Sequence, residues 1–457
     1  MAKKKYSRRE FVKQNSLAGL GAAFTLGISP GIIAGTRSSA GTPAILGGQK
    51  IRTKGWPEWP VWNSSTDEAS VLESLRSGVW SRAGVVNEFE KKWAETIGSK
   101  RCLATVNGTN ALIAALAQFD IGGGDEVIVP PYTFIATVQA VLMNGAMPVF
   151  VDTDPETFQI DPEKIEAKIT PRTKAILPVH ILGLPANMVR IMEIAKKHDL
   201  IVIEDACQAW MAEINHKKMG TFGDAGCFSF QNSKNLAIGE GGAIVSDNDD
   251  FMDRCYSYHN YGNPYGSVIG EVGAGTLMLG TKLRTTEYQA AIGLVQMERL
   301  GEETAKRSEN AAYLKSQIRK IPGILPYELY GNVTMAAFHL FPFRYKKDAF
   351  KDLPRSGFLK ALREEGIPAS DGYRPLNKMP YLSHAFQTKN FKRMYSSREL
   401  DYNKYLENNH CPLNDRLCEE AVWFSQRMLL AEKSDMDDIA AAIEKIFRNA
   451  EAIKNKI

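Results

Sequence analysis

The chain has 457 residues, which is too long for one compact core and, at roughly 150 residues a domain, predicts about two domains plus additional segments. Its composition, 44% hydrophobic and 24% charged, is typical of a soluble globular enzyme. The formal net charge is +4, yet residues 1–40 contribute +6 of it, from seven Lys or Arg and one Glu, which leaves −2 for residues 41–457. The basic balance belongs to the leader, so the charge indicates no nucleic-acid partner.

Residues 1–40 begin with a basic segment and continue with an uncharged run. The basic segment contains SRREFVK at residues 7–13, and no charge occurs between residues 13 and 37. The uncharged run is rich in glycine and interrupted by Pro30, so it is a poor membrane-spanning helix. The pattern resembles a twin-arginine signal, which exports folded proteins. It predicts a signal peptide over residues 1–40, cleavage near Ala40 and a periplasmic location; an amphipathic arm or an uncleaved anchor is the alternative.

The six cysteines form no CxxC pair and do not cluster with histidine, so no metal site is predicted. Cys411 and Cys418 are close enough in sequence to pair in an oxidising compartment. Two unpaired thiols are the alternative.

Residues 44–62 contain two Trp-Pro pairs and little periodicity, which predicts an extended arm lying over the body of the protein. Helical spacing follows at residues 68–77 and 86–97, with a glycine-punctuated loop between them. Trp80 in this loop either faces a substrate or packs on the surface.

Residues 102–106 read as a strand, and Thr109 and Asn110 open the helix that follows. A helix N-terminus with free N–H groups can hold a phosphate. Further strands are predicted at residues 126–130, 148–151 and from 174, with a helix at residues 188–198. This alternation predicts a largely parallel sheet covered on both faces.

The stretch from Ile201 to Asp247 contains two short apolar runs, each followed by polar residues. Ligands bind at the carboxyl ends of strands in such sheets, so these polar residues are expected to converge. They are Glu204, Asp205, Gln208, Ser229 and Lys234. A carboxylate, a hydroxyl and a lysine suit pyridoxal phosphate, whose ring nitrogen, phosphate and aldehyde need these three groups in turn.

Three motifs in this stretch carry a family resemblance: EDACQA at residues 204–209, FSFQNSKN at 228–235 and GEGGAIVSD at 239–247. They resemble the DegT-type sugar aminotransferases, a fold-type-I pyridoxal-phosphate family. The arm resembles that of the inosose and cyclitol aminotransferases, and the resemblance runs from about residue 44 to the C-terminus. It implies an α/β fold with a mostly parallel central sheet, a smaller C-terminal α+β domain and a homodimer with shared active sites.

The resemblance also implies a reaction, with Lys234 and Asp205 as the catalytic residues. An amino group would pass from an amino acid, Glu or Gln, to a keto-sugar or keto-cyclitol by a ping-pong mechanism. Phe134 would cover the pyridine ring, and Gln208 would support the ring or its phenolic oxygen. The residues implied to bind the cofactor are Gly108, Thr109, Asn110, Phe134, Asp205, Gln208, Ser229, Lys234 and Lys282.

Residues 284–291, RTTEYQAA, resemble the dimer-interface segment of the family, but the four residues before them depart from its pattern. An asparagine that reaches the phosphate in the partner subunit is usual, and Lys282 stands in its place. An ammonium can make a charge-assisted contact to a phosphate, which predicts tighter retention of the cofactor. Lys282 pointing into solvent is the alternative.

The sequence predicts an arm and large domain over residues 41–303 and a small domain over residues 304–457. Two other functions stay open. Dehydratases of the family replace the lysine with histidine, and this chain keeps Lys234. A non-catalytic exported sugar-binding protein would be free to lose Lys234 and Asp205, but one sequence does not exclude it.

Overall fold

A seven-stranded sheet lies at the centre of residues 41–267 and 275–457, the part of the chain that the computed structural model describes. The predicted signal peptide lies outside the described residues. The strands are β1 (Arg101–Thr105), β2 (Glu126–Val129), β3 (Met147–Phe150), β4 (Thr173–Ile176), β5 (Ile201–Asp205), β6 (Glu213–Ile214), β7 (Lys217–Lys218), β8 (Ala225–Ser229), β9 (Gly242–Ser246), β10 (Ile324–Pro326), β11 (Val333–Met335), β12 (Leu340–Tyr345), β13 (Ser370–Asp371) and β14 (Ala421–Ser425).

The strands of the large sheet lie in the order β1-β9-β8-β5-β4-β2-β3. The pairs from β8 to β3 are parallel, and β9 runs antiparallel to both of its neighbours. All residues of β2, β8 and β9 are buried, as expected for strands covered on both faces. The largely parallel sheet predicted from the sequence is confirmed.

Helices cover this sheet and build most of the C-terminal part of the described chain. They are α1 (Ser64–Arg76), α2 (Gly84–Ile97), α3 (Gly108–Gln118), α4 (Ile135–Met143), α5 (Met188–His198), α6 (Asp249–His259), α7 (Glu287–Ile318), α8 (Arg355–Glu364), α9 (Pro380–Gln387), α10 (Lys389–Met394), α11 (Tyr402–Asn408), α12 (Pro412–Glu420), α13 (Lys433–Arg448) and α14 (Ala450–Lys456). Across the described ranges, no helix is both long enough and apolar enough to span a membrane.

Helix α5 shows how the local sequence builds one covering layer. Its buried residues, Met188, Ile191, Ile194 and Ala195, follow a spacing of three or four and form one apolar stripe. The side chain of Asn187 caps the helix by accepting the N–H of residue 190. Burying each large apolar side chain contributes about 1.5–3 kcal/mol, so the stripe fixes this helix to the sheet.

The C-terminal part holds a four-stranded antiparallel sheet in the order β10-β12-β14-β13. A smaller sheet, β11-β6-β7, pairs residues from both halves of the chain. Residues 41–457 pack as one compact unit, and α7 runs across the expected boundary at 303/304. The position of that domain boundary stays a prediction.

The segment between residues 247 and 318 contains two helices with an extended stretch between them. Helices α6 and α7 are separated by described residues without helix, and Lys282 and Arg284 make isolated antiparallel bridges to Asn260 and Thr105. Gly275, with φ +81°, is left-handed, and three threonines follow in residues 281–286. Glycine and β-branched residues both disfavour a helix, which explains the extended backbone.

Residues 44–62 form the predicted arm. After one short helical turn the arm runs without regular structure over the rest of the protein. Arg52 pairs with Asp435 at 2.7 Å, and the indole N–H of Trp56 donates to the carbonyl of Gly366 at 3.0 Å. These contacts, more than 300 residues apart in sequence, fix the arm to the C-terminal part.

Candidate active site

Asp205 lies at the carboxyl end of β5, and its carboxylate is buried and held from two sides. Oδ2 accepts the hydroxyl of Thr137 on α4 at 2.7 Å, and Oδ1 accepts the N–H of Cys207 at 3.2 Å. The hydroxyls of Thr137 and Thr133 are 2.9 Å apart, so a chain of two threonines supports the carboxylate. The sequence did not reveal these threonines. The carboxylate has a fixed orientation at the sheet edge where ligands bind.

Lys234 lies in the loop that follows β8, on the same edge of the sheet. Burial lowers the pKa of Lys234, while the neighbouring Cys207 and Asp205 oppose this shift. Its Nζ is 5.9 Å from the centroid of the Trp210 ring. A lowered pKa increases the fraction of neutral amine, which is the form that attacks a carbonyl carbon. The structure therefore brings Lys234 and Asp205 into one electrostatic environment.

The N-terminus of α3 lies against Ser229, at the end of β8. A Cβ atom built on Gly108 would lie 2.7 Å from Sγ of Cys207 and 2.8 Å from Cβ of Ser229, so this contact requires glycine. The side chain of Asn107 caps the helix by accepting the N–H of Asn110 at 2.9 Å. The helix therefore starts at Gly108, one residue before the predicted Thr109, and its cap is Asn107.

This arrangement leaves an anion site. In an α-helix the first N–H groups lack acceptors within the helix, and Asn107 occupies that of Asn110. The N–H groups of Gly108 and Thr109 have no acceptor within the helix, and Gly108 packs against Ser229. Two amides, a hydroxyl and the positive end of the helix dipole together suit a phosphate.

Gln208 follows Asp205 by one short turn, and both ends of its amide are engaged. Oε1 accepts the N–H of Leu182 at 2.8 Å, and Nε2 donates to the hydroxyl of Tyr373 at 3.0 Å. Burial raises the pKa of Tyr373 to about 12, so this phenol stays protonated at neutral pH. Tyr373 comes from the C-terminal part, 165 residues away from Gln208. Only the Pro/Tyr-rich composition of residues 371–381 could have drawn attention to it.

Glu204 does not join the site, contrary to the sequence prediction. Its buried carboxylate accepts the N–H groups of Gly220, Phe222 and Gly223 at 2.6–2.8 Å. Its Oε2 lies 2.9 Å from Nε2 of His180. Successive side chains of a strand point to opposite faces, so Glu204 and Asp205 cannot both face the same site. Glu204 fixes the loop before β8.

Three predicted residues are exposed. Phe134 is 56% exposed and immediately precedes α4, the helix that carries Thr137. Lys282 is exposed, and within the described ranges its ammonium has no hydrogen bond or ion pair. The indole N–H of Trp80 donates to the carbonyl of Leu75 at 2.9 Å, so its polar group is satisfied on the surface. The structure brings Asp205, Gln208 and their neighbours together but leaves Lys282 outside this group.

The thiols of Cys411 and Cys418 are buried and unpaired. That of Cys411 donates to the carbonyl of Asn409 at 3.4 Å. Across residues 41–267 and 275–457, no group of three or more His, Cys, Asp or Glu side chains is placed to hold a metal ion.

Comparison with known proteins assigns the chain to a family. The model of the DegT/DnrJ/EryC1/StrS aminotransferase family matches residues 63–422. The chain belongs to this family. Similar members include the L-glutamine:2-deoxy-scyllo-inosose aminotransferase of Streptoalloteichus tenebrarius, 32% identical over 420 residues, with 89% of this chain and 97% of that protein covered. The L-glutamine:scyllo-inosose aminotransferase of Streptomyces griseus is 33% identical over 427 residues, with coverage of 90% and 98%.

Solved structures agree with this family assignment. The crystal structure of 3-amino-5-hydroxybenzoic acid synthase superposes with a TM-score of 0.75 at 28% identity, covering 87% of this chain and 100% of that chain. The α/β fold of type I, with a smaller C-terminal part, is thus confirmed, and this member of the DegT family is an aminotransferase.

Proposed function

We propose that pyridoxal phosphate binds at the site formed by Asp205, Lys234 and the N-terminus of α3. The donor groups fit its three reactive ends: a buried oriented carboxylate, a half-buried amine of lowered pKa, and two helix amides next to Ser229. When bound, the cofactor supplies an aldehyde and a ring that withdraws electrons from the reacting carbon. The fit of all three groups on one sheet edge carries the proposal.

Each residue then has a separate task. The Asp205 carboxylate holds a proton on the ring nitrogen, and Thr137 keeps that carboxylate in place. Lys234 provides the amine for covalent attachment and, when released, moves a proton at the reacting carbon. The amide of Gln208 is oriented by Leu182 so that its NH₂ group donates to the hydroxyl of Tyr373. Fixing the substrate carbon relative to these groups lowers the barrier, because translational and rotational freedom is lost before the reaction step.

We further propose that the amino donor is L-glutamine or L-glutamate and that the acceptor is a keto-cyclitol or keto-sugar, in a ping-pong reaction. The support is membership of the family and the activities that the names of its relatives state. Because the leader resembles an export signal, the acceptor is proposed to be free and not attached to a nucleotide. Nucleotide-activated sugars are scarce outside the cytoplasm.

The donor and the acceptor are tested separately with purified, cofactor-loaded protein. L-Glutamine and L-glutamate are supplied alone, and conversion of the cofactor to its amine form is followed by absorbance. Free keto-cyclitols, free keto-sugars and nucleotide-linked keto-sugars are then supplied to the aminated enzyme. We expect the free compounds to restore the original spectrum. Turnover of nucleotide-linked sugars with none of the free ones would overturn the acceptor assignment.

We propose that the protein acts as a homodimer in which Lys282 reaches the cofactor phosphate of the partner subunit. Several exposed apolar side chains lie near it, including Tyr261, Leu277 and Leu279, of which Leu279 is 87% exposed. Exposed apolar groups in one region are typical of an interaction surface. A second copy of this chain would cover them and bring Lys282 close to another active site.

This assignment predicts that Lys282→Ala weakens cofactor retention on dialysis and makes retention less dependent on salt. Lys282→Asn should recover part of the retention, because an amide still donates a neutral hydrogen bond to phosphate. Analytical sedimentation measures the fraction of dimer in the same samples. Unchanged retention in a dimeric Lys282→Ala protein would remove the lysine from this role.

We also propose that the protein is exported in folded form by the twin-arginine route. The motif at residues 7–13 and the uncharged run after it support this proposal. Replacing Arg8 and Arg9 by lysine should retain the protein in the cytoplasm, as measured by fractionation of cells. Equal periplasmic amounts of both forms, or a cytoplasmic location of the unaltered protein, would contradict it.

A further inference from the structure

The arm contacts the backbone of the proposed catalytic lysine directly. The indole N–H of Trp59 donates to the carbonyl oxygen of Lys234 at 3.1 Å, although the two residues are 175 positions apart. Lys234 lies outside any strand or helix, and its own N–H donates to the carbonyl of Gln231 at 2.8 Å. The main chain at Lys234 is therefore held on one side by its own turn and on the other by the arm.

Trp59 is itself held firmly. The carbonyl of Val61 accepts from Arg299 at 2.6 Å and from Gln296 at 3.1 Å, both on α7. The fully buried guanidinium of Arg307, also on α7, lies 5.1 Å from the centroid of the Trp59 ring. A cation at this distance from an aromatic face is attracted to it. The longest helix of the described chain thus fixes the donor that holds Lys234.

The next residue after Lys234 is fixed from the C-terminal part. Nδ2 of Asn235 donates to the carbonyl of Ala337 at 2.8 Å, and Oδ1 lies 3.3 Å from Nδ1 of His339. Asn235 is therefore anchored by its side chain, whereas the carbonyl of Lys234 relies on Trp59. Loss of the indole N–H would leave the carbonyl of Lys234 without this partner and loosen the peptide that carries the reactive amine.

We infer that Trp59 is a positioning residue for Lys234: it fixes the peptide of the lysine so that the amine emerges at one place in the site. The inference rests on the proposed role of Lys234 and assigns the arm a part in the reaction. Trp59 acts through the lysine and is not a catalytic residue.

Trp56, in the same arm, provides a matched control for Trp59. Trp56 belongs to the other Trp-Pro pair, its indole N–H donates to the carbonyl of Gly366 at 3.0 Å, and the Arg52 guanidinium lies 3.8 Å from its ring. The contact thus has the same chemistry as that of Trp59 but anchors the arm away from Lys234. Trp59→Phe and Trp56→Phe each remove one indole N–H from the same segment.

The test uses cofactor-free protein and two measurements. The first is the rate of covalent capture of pyridoxal phosphate, followed by stopped-flow absorbance. The second is acylation of Lys234 as a function of pH, quantified by mass spectrometry. Trp59→Phe should slow capture about 3- to 10-fold, the factor that corresponds to one neutral hydrogen bond. It should also raise the midpoint of the acylation profile, because a looser loop exposes the amine to water. Trp56→Phe should change neither measurement.

Equal results for the unaltered protein and Trp59→Phe would overturn the inference, and so would equal losses in the two variants. Should Trp59→Phe fail to fold, 3-benzothienylalanine at position 59 makes the same comparison, since it keeps the bicyclic ring and replaces the N–H with sulfur. Lys234→Ala distinguishes the role of the lysine from the role of Trp59. Covalent capture by Lys234→Ala would remove the proposed role of the lysine, whereas normal behaviour of the Trp59 variants alone would remove only the role of Trp59.

Discussion

Replacing Thr137 by valine tests how the proposed partner of the ring nitrogen is held. The Thr137 hydroxyl donates to Oδ2 of Asp205 at 2.7 Å, so its oxygen must accept the proton of Thr133, 2.9 Å away. Thr137→Val keeps the shape of the side chain, removes one hydrogen bond to a buried carboxylate and leaves the hydroxyl of Thr133 without this partner. A hydrogen bond to a charged group contributes about 1.5–3 kcal/mol. We expect the free energy of unfolding to fall by about that amount.

Thr133→Val is the matched control. It removes the neutral bond between the two hydroxyls and leaves that between Thr137 and Asp205, so a loss of about 0.5–1.5 kcal/mol is expected. Urea unfolding of the cofactor-free proteins gives both values, and equilibrium dialysis gives the affinity for pyridoxal phosphate. Affinity should fall more in Thr137→Val, because only there is the carboxylate released. Equal affinity in both variants, or a larger effect of Thr133→Val, would refute the role given to the two threonines.

Two further predictions concern buried charges. Burial lowers the pKa of Lys234, so between that lowered pKa and the ordinary lysine pKa of about 10.4 the unfolded chain binds more protons than the folded one, and this residue's contribution to stability rises with pH across that window. Cofactor-free Lys234→Met should therefore be more stable than the unaltered protein at pH 7 in urea unfolding, and a gap that does not shrink towards pH 10.5 would contradict this. Glu204→Gln should lower the free energy of unfolding by about 2–3 kcal/mol, since an amide cannot satisfy three N–H donors as a carboxylate does. Its folded fraction should bind pyridoxal phosphate normally, and a selective loss of binding by spectroscopic titration would place Glu204 in the site after all.

The sequence predicted the parts of the site that lie close together along the chain. Asp205 and Ser229 end apolar strands that are recognisable from their own residues, and Lys234 follows five positions after Ser229. The edge of a parallel sheet then brings such residues together without further information. The parallel order of the strands followed from the alternation of strands and helices for the same reason.

Local sequence patterns did not predict the contacts between distant segments. The bonds from Thr137 to Asp205, Gln208 to Tyr373 and Trp59 to Lys234 join residues that are 68, 165 and 175 positions apart. No periodicity or spacing encodes which threonine or tyrosine will reach a given carboxylate or amide. Glu204 was misassigned because a strand of five residues does not reveal which of two neighbouring carboxylates faces the ligand.

The most direct test of the central claim is to find the residue that carries the cofactor. The purified protein is reduced with borohydride in the presence of pyridoxal phosphate, digested, and mapped by mass spectrometry. The account predicts one modified peptide, with the label on Lys234, and none in the Lys234→Ala variant. Label on any other lysine, or a spectrum of bound cofactor that borohydride leaves unattached to Lys234, would contradict the assignment of this site.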